Sequence, residues 1–329
     1  LRLRRRGFLH LAAGALALPA LPRLSVADSY PSRRITMVVP FAPGALSDIL
    51  GRVMAEGMQA SLGQSIVIEN AGGADGTIGT GRVARAAPDG YTLVCANWNT
   101  SVTNAAIYKL DYDVVTDFVP VVLLPAAPMV LIAKKDNPAT NLNEFIAWLK
   151  ANPDKASMGT AGVGSPPDLL GRLLRTDTAT QFGIVAYRGA APAMQDVIAG
   201  HTDAMFISIA AALPQVQSGN VKVFGVTTRG RMEIAPDIPT MDEAGLPGFY
   251  FALWAAIFAP RGTPKDIIDK LNAAAVKTLA DPSVRQKLEA QGFEIPPPGQ
   301  QTPAALAAYQ KAEIEKWWPV VKAAGIKPE

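Results

Sequence analysis

Histidine and cysteine are almost missing from this 329-residue sequence, with two of the one and one of the other. Metal clusters built on those residues, and serine–histidine or cysteine–histidine nucleophile pairs, therefore have no obvious material. His10 lies in an N-terminal segment read below as a leader, and His201 follows Gly200 in an expected surface turn. The lone Cys95 can form no disulfide within the chain and lies in an apolar run, 91–96, expected to be a buried strand. No Gly-Lys-Ser/Thr phosphate loop is present, and no strict G-x-G-x-x-G follows a strand, so nucleotide binding has little support. Acids are missing from residues 1–27, which carry five arginines; without that segment the formal charge of +3 becomes −2. A mildly acidic chain has no electrostatic case for nucleic acid.

At 49% hydrophobic and 18% charged residues, the composition is that of a soluble globular protein long enough for two domains. Arg4-Arg5-Arg6-Gly7-Phe8-Leu9, a short apolar stretch to Leu21 and the small-x-small site Ser25-Val26-Ala27 read as an export signal over residues 1–27, of the twin-arginine or the ordinary secretory kind. Its apolar core is too short to span a bilayer. The destination is the periplasm, and the lack of a cysteine near the cleavage site argues against a lipid anchor.

The mature chain is organised around residues 35–48. An apolar run ends at Pro40, a tight loop follows, and a helical pattern of Ile49, Leu50, Val53, Met54, Met58 and Leu62 starts after Ser47 and stops at Gly63. Ser47 is the expected N-cap, leaving unpaired N–H groups at the positive end of a helix dipole, where a small anion can sit. The run 66–68 and the glycine-rich loop 71–79 repeat the device, and strand 91–96 ends in the polar stretch Asn97-Trp98-Asn99-Thr100-Ser101. In the second half, strand 156–159 leads to the glycine loop 160–164 and to Ser165-Pro166-Pro167-Asp168, read as a capping box and a second anion-ready helix start. Strand 182–187 is followed by a helix opening near Pro192, strand 204–207 delivers Ser208, and strand 221–226 delivers Thr227 and Thr228. Strand–helix alternation predicts a mainly parallel sheet with ligands beyond the carboxyl ends of its strands. Thr263-Pro264, Asp281-Pro282 and Thr302-Pro303 mark three terminal helix starts. The runs 121–124 with 129–133, and 251–258, are candidate crossover segments of a hinge. Asp48, Asp75 and Asp168 have the chemistry of acid and base, but each has an ordinary role in a turn or helix start.

Several motifs together carry a resemblance: Tyr30-Pro31 with Arg34-Ile35, Val39-Pro40-Phe41-Ala42-Pro43-Gly44, Glu69-Asn70, Ala87-Pro88-Asp89-Gly90-Tyr91, Tyr187-Arg188-Gly189, Glu243-Ala244-Gly245-Leu246-Pro247-Gly248 and Phe258-Ala259-Pro260-Arg261-Gly262-Thr263-Pro264. In this order, across the mature chain, they resemble the Bug (TctC-like) family of periplasmic solute-binding proteins of tripartite tricarboxylate transporters. The resemblance implies an α/β type II periplasmic-binding-protein fold, two Rossmann-like lobes joined by two crossover strands. Domain I would comprise 28–126 and 253–329, domain II 127–252, with the ligand between them. It further implies a small organic carboxylate as ligand, membrane permease subunits as partners, no enzymatic activity, no cofactor and no metal. Carried onto this sequence, the first lobe would contribute Phe41, Ala42, Gly44, Ala45, Gly76 and Thr77, with Asn97 and Ser101 nearby. The second would offer Thr160, Gly162, Gly164, Ser165 and Ser208.

Three positions depart from the family pattern. Ala45 stands where a second glycine is common, Asp168 where histidine is expected, and Ser208 where many members have an aspartate associated with amino-bearing ligands; together they favour a carboxylate without an ammonium. A role as a ligand sensor for a two-component kinase, and a periplasmic hydrolase built on a carboxylate pair, are the alternatives. A monomer is expected.

Overall fold

The computed structural model describes residues 30–326; the export-signal segment lies outside the described residues. In chain order the elements are β1 (Ile35–Val39), α1 (Leu46–Leu62), β2 (Ile66–Asn70), α2 (Thr77–Ala84), β3 (Thr92–Asn97), α3 (Asn104–Ile107), β4 (Phe118–Lys134), α4 (Leu142–Ala151), β5 (Ser157–Thr160), α5 (Pro166–Thr178), β6 (Gly183–Ala186), α6 (Ala190–Ala199), β7 (Ala204–Ser208), α7 (Ile209–Gln217), β8 (Val221–Val226), β9 (Ala252–Pro260), α8 (Lys265–Ala280), α9 (Pro282–Glu289) and α10 (Pro303–Ala323).

The strands run in the order β2-β1-β3-β9-β4-β7-β5-β6, with β8 also on β4. The two apolar runs expected on either side of residues 125–128 are one 17-residue strand, β4. Its first part pairs with β9 and its second with β7 and β8, with register shifts after Pro120 and Leu123. Pro120, Pro125 and Pro128 cannot donate to a ladder, so the strand is bent and shifted there without ending. β4 and β9 thereby carry the chain between two lobes, as the hinge reading expected. The expectation of a mainly parallel sheet is corrected. β1 pairs in parallel with β2 and β3, and β5 with β6 and β7, but every contact of β4 and β9 is antiparallel, because a strand that crosses out and one that returns must run in opposite directions.

Each lobe has its own apolar packing. β1, with Ile35, Met37 and Val39 fully buried, packs against Leu50, Met54 and Met58 of α1 and Leu271 and Leu279 of α8. In the other lobe Val130 and Ile132 of β4 pack with Met205, Ile207 and Val197. Trp98, Phe251 and Trp317 meet edge to face at 5.1–5.4 Å, pinning the end of β3 and the entry to β9 against α10. Burying three large aromatics stabilises the junction by several kcal/mol, at about 25 cal/mol per Å² of apolar surface. Thr302 and Asp281 cap α10 and α9 as expected, their side chains accepting from Ala305 N–H and from Ser283 and Val284 N–H. α8 begins one residue after Pro264.

Candidate functional site

The loop between β1 and α1 is held open by one carboxylate. Helix α1 starts two residues earlier than the Ser47 cap predicts; Ala45 is the N-cap and makes no side-chain bond. Asp48 ties the loop to the helix instead, accepting from Gly44 N–H (2.9 Å), Arg52 Nε (3.0 Å) and Asn70 Nδ2 (2.9 Å). Burial pushes the Asp48 carboxyl up, but the bonds from Arg52, Gly44 and Asn70 outweigh it and hold it down at about 2. Asn70 also donates to the Phe41 carbonyl (3.0 Å), so the end of β2 fixes the loop after β1. Gly44 alone has a left-handed φ, +85°, while Ala45 is extended at −68°. Alanine at 45 therefore costs nothing, and the departure there is neutral. In the first turn of α1 the Asp48 N–H reaches the Ala45 carbonyl (2.9 Å), which leaves the N–H groups of Leu46 and Ser47 without an acceptor in the helix.

The second lobe repeats this device residue for residue. Gly44-Ala45-Leu46-Ser47-Asp48-Ile49-Leu50-Gly51-Arg52 and Gly164-Ser165-Pro166-Pro167-Asp168-Leu169-Leu170-Gly171-Arg172 share glycine, aspartate, leucine, glycine and arginine at equal spacing. Asp168 accepts from Gly164 N–H (2.9 Å) and pairs with Arg172 (3.1 Å), as Asp48 does with Gly44 and Arg52. It is fully buried, so it does not present a charge to the cleft. The expected capping box does not form; the Ser165 hydroxyl donates backwards to the Gly162 carbonyl (2.6 Å). The lobes differ in one respect that bears on anions. Where α1 begins with Leu46 and Ser47, α5 begins with Pro166 and Pro167, which have no N–H. The second helix start is thus not the equal anion site that its sequence suggested.

Between the lobes lies a cavity of about 560 Å³. Three expected residues, Gly162, Gly164 and Ser165, line it, and Asp75, Asn99, Tyr108, Tyr187 and Arg188 line it with them. The first-lobe loops pack on one another beside it. A side chain on Gly76 would meet Thr100 at 2.6 Å and the Phe41 ring at 3.0 Å, and Gly72 lies against the backbone of Phe41 and Ala42. Phe41, Ala42, Gly44, Ala45, Gly76 and Thr77 thus lie in neighbouring loops and do not themselves line the cavity. The Thr77 hydroxyl donates to the Ala74 carbonyl (2.9 Å). Asn97 is buried, its side-chain oxygen accepting from Thr100 N–H (3.2 Å). Ser101 and Thr160 are buried with hydroxyls that lack a protein partner. Ser208 opens α7 and pairs with Met129 across β7 and β4, next to the crossover.

Sequence reasoning missed Asp75, Asn99 and Arg188 as lining residues. The signals were a polar tip after β3, which the reading entered only at Asn97 and Ser101, and the tripeptide Tyr187-Arg188-Gly189. Trp98, which had the chemistry to stack on a ring, is fully buried and donates to Glu313 (3.0 Å), so it belongs to the core. Cys95 is buried, donates to the Ser47 carbonyl (3.3 Å) and is pushed up to about 12 by burial and by Asp48. His201 is exposed beside Asp196. Among the described residues no three metal-ligating side chains converge, and no helix is long and apolar enough to cross a membrane.

Comparison with known proteins agrees with this architecture. The model of the tripartite tricarboxylate transporter family receptor (TctC) matches residues 50–326. The solved structure of the periplasmic binding protein BugD is 38% identical, with a TM-score of 0.72 over 91% of this chain and 100% of that one. MatC (Rpa3494) from Rhodopseudomonas palustris with bound malate is 39% identical, with a TM-score of 0.73 over 89% and 100%. Rpa4515 from R. palustris with adipate is 33% identical, with a TM-score of 0.75 over 91% and 100%. The two-lobed binding-protein fold implied by the sequence motifs is the fold present.

Proposed function

Because the chain belongs to the tripartite tricarboxylate transporter receptor family, a family of binding proteins and not of enzymes, we propose that it captures a small organic carboxylate in the periplasm. It then delivers that carboxylate to the membrane permease subunits of a tripartite tricarboxylate-type transporter. Domain I would be 28–126 with 253–329 and domain II 127–252, closing on each other about the crossover of β4 and β9. The observation that carries the reading is the cavity between the lobes, lined on one side by the strand-end loops of the first lobe and on the other by the glycine loop 161–165 and Arg188. Its volume of about 560 Å³ suits a ligand of the size of malate or adipate, which two of the similar structures hold.

Uncharged donors suit such a task. Backbone N–H groups and hydroxyls bind a carboxylate through hydrogen bonds strong enough to orient it, yet leave no buried countercharge that would retain it when the lobes reopen. In this reading the first lobe receives the carboxylate on its strand-end loops, with Phe41, Ala42, Gly44, Ala45, Gly76 and Thr77 in the loops beside the cavity lining and the buried Asn97 and Ser101 behind them. The second lobe closes over the remainder with Gly162, Gly164 and Ser165 at the cavity, the buried Thr160 behind them and Ser208 next to the crossover. Calorimetric titration of the purified mature chain with mono-, di- and tricarboxylates tests the proposal. Saturable 1:1 binding of at least one is expected, and no heat with any of them would overturn it.

A further inference from the structure

The cavity contains an acid that a purely amide-based anion clamp does not need. Asp75 lines it together with Asn99, whose side chain donates to Asp75 Oδ2 (3.2 Å), while Asn104 donates to the Asp75 carbonyl (2.8 Å). Burial raises the Asp75 carboxyl above the ordinary range, and the Asn99 bond only partly opposes this. Among the described residues Arg188 is the one cationic side chain lining the same cavity, and it is exposed and makes no ion pair with Asp75. The carboxylate is therefore oriented by one amide and left with acceptor capacity on the ligand side.

Its backbone gives a second reason to regard it as functional. Ala74, Asp75 and Gly76 have φ of 46°, 49° and 84°, three successive left-handed residues of which only the last is glycine. A left-handed L-residue costs roughly 1–2 kcal/mol, somewhat less for aspartate, and such strain persists where the surroundings hold the chain for a purpose. Glycine at 75 would meet the same conformation more cheaply. The chain carries instead the residue that adds an acceptor to the cavity.

An ionised acid facing a bound anion repels it unless a donor lies between them. We propose that Asp75 is a specificity-determining residue: it selects carboxylates that bear a hydrogen-bond donor, a hydroxyl or an ammonium, and disfavours their unsubstituted counterparts. This rests on the carboxylate-binding reading, and it revises the expectation, drawn from Ala45, Asp168 and Ser208 together, of a ligand without an ammonium. Ser208 does not line the cavity, whereas Asp75 supplies an acid from the opposite lobe.

The test is calorimetry on the mature chain with three matched sets: succinate, malate and aspartate; glutarate, 2-hydroxyglutarate and glutamate; propionate, lactate and alanine, using both enantiomers where they exist. Wild type is expected to bind a donor-bearing member at least about tenfold more tightly than its plain counterpart, the equivalent of about 1.4 kcal/mol. Asp75→Gly should reduce that preference to below about threefold. Asp75→Asn should keep part of a preference for hydroxyl but lose more than tenfold of one for ammonium, which distinguishes the two donors. Asp75→Gly should also unfold at a temperature equal to or above that of wild type, which a merely structural role for the carboxylate would not allow. Equal binding within every set, or a preference unchanged in both variants, would overturn the inference and leave carboxylate binding standing. Binding of none of these compounds by wild type would count against both.

Discussion

Removing the Asp48 carboxylate, as in Asp48→Asn, should destabilise the protein in a way that fades in acid. The ordinary value for an aspartate is 3.8, and three donors hold Asp48 at about 2. At about 1.4 kcal/mol per tenfold, that displacement is worth about 2 kcal/mol of folding free energy, since the unfolded chain lacks the donors. Asparagine keeps the shape, but Gly44 N–H and Asn70 Nδ2 take different oxygens of Asp48, so if the amide oxygen stays with Gly44 the new NH2 is set against Asn70 Nδ2 and the Arg52 guanidinium. A further loss of about 1 kcal/mol is reasonable for a buried donor left badly paired. For a chain of this size, with an unfolding entropy of about 2.1 cal/mol/K per residue, a total near 3 kcal/mol lowers Tm by about 5 °C. The folded-state value is depressed, so the stabilisation is complete above about pH 4 and is lost as the pH falls through about 2. Urea unfolding of wild type and Asp48→Asn at pH 7, 4 and 2.5 measures it. Curves that differ by less than 0.5 kcal/mol at pH 7, or by the same amount at pH 7 and 2.5, would refute the reasoning.

Three further outcomes follow from particular contacts. Gly76→Ala should destabilise by about 1–3 kcal/mol and weaken carboxylate binding, because φ is +84° and the added methyl meets Thr100 at 2.6 Å; calorimetry and thermal unfolding report the two effects separately. Glu313 is pushed up by burial, only partly offset by Lys316 and the indole N–H groups of Trp254 and Trp98, so its proton favours the folded state and wild-type stability contributed there falls as pH rises through its folded value. The Tm of Glu313→Gln relative to wild type should therefore rise between pH 4.5 and 8, and a pH-independent difference would show that its charge is not the determinant. Arg188→Gln, at an exposed position, should leave Tm within about 2 °C while slowing association with an anionic ligand in low salt, as stopped-flow fluorescence would measure.

Much of the architecture was legible because turns, caps and apolar runs are local. Asp281-Pro282 and Thr302-Pro303 announced their helices, and 221–226 was a strand at its expected limits. The sheet's mixed character was not legible, since alternation of strand and helix says nothing about a chain that leaves one lobe on β4 and returns on β9. Proline at 120, 125 and 128 made one long strand look like two short ones. At the site, loops were found but side-chain direction was not: Asn97, Ser101 and Thr160 read as available donors, yet burial and the bond from Thr100 N–H to Asn97 commit them to the interior. Asp75 read as an ordinary turn residue because Gly-Ala-Asp-Gly gives no sign of two left-handed non-glycine residues.

The duplicated Gly-x-x-x-Asp-x-Leu-Gly-Arg segment sharpens what each lobe contributes. In both copies the aspartate does not line the cavity; it takes the glycine N–H and an arginine, and so fixes the angle at which the helix leaves its loop. What differs is the first turn. Leu46 and Ser47 leave two N–H groups at the positive end of α1, and Pro166 and Pro167 leave none at the same place in α5. An anion therefore has reason to dock first on the lobe of α1, with the other lobe closing over it through loop 161–165 and Arg188. Lobe-specific damage should separate the two roles. Gly44→Val, which forces a β-branched residue into φ +85°, should abolish binding, whereas Gly162→Ala, at φ +128° with only the Tyr187 carbonyl within 4 Å, should leave initial docking intact and raise the dissociation rate. Equal loss of association rate in both variants would mean that the lobes bind the anion alike, and that the prolines do not matter.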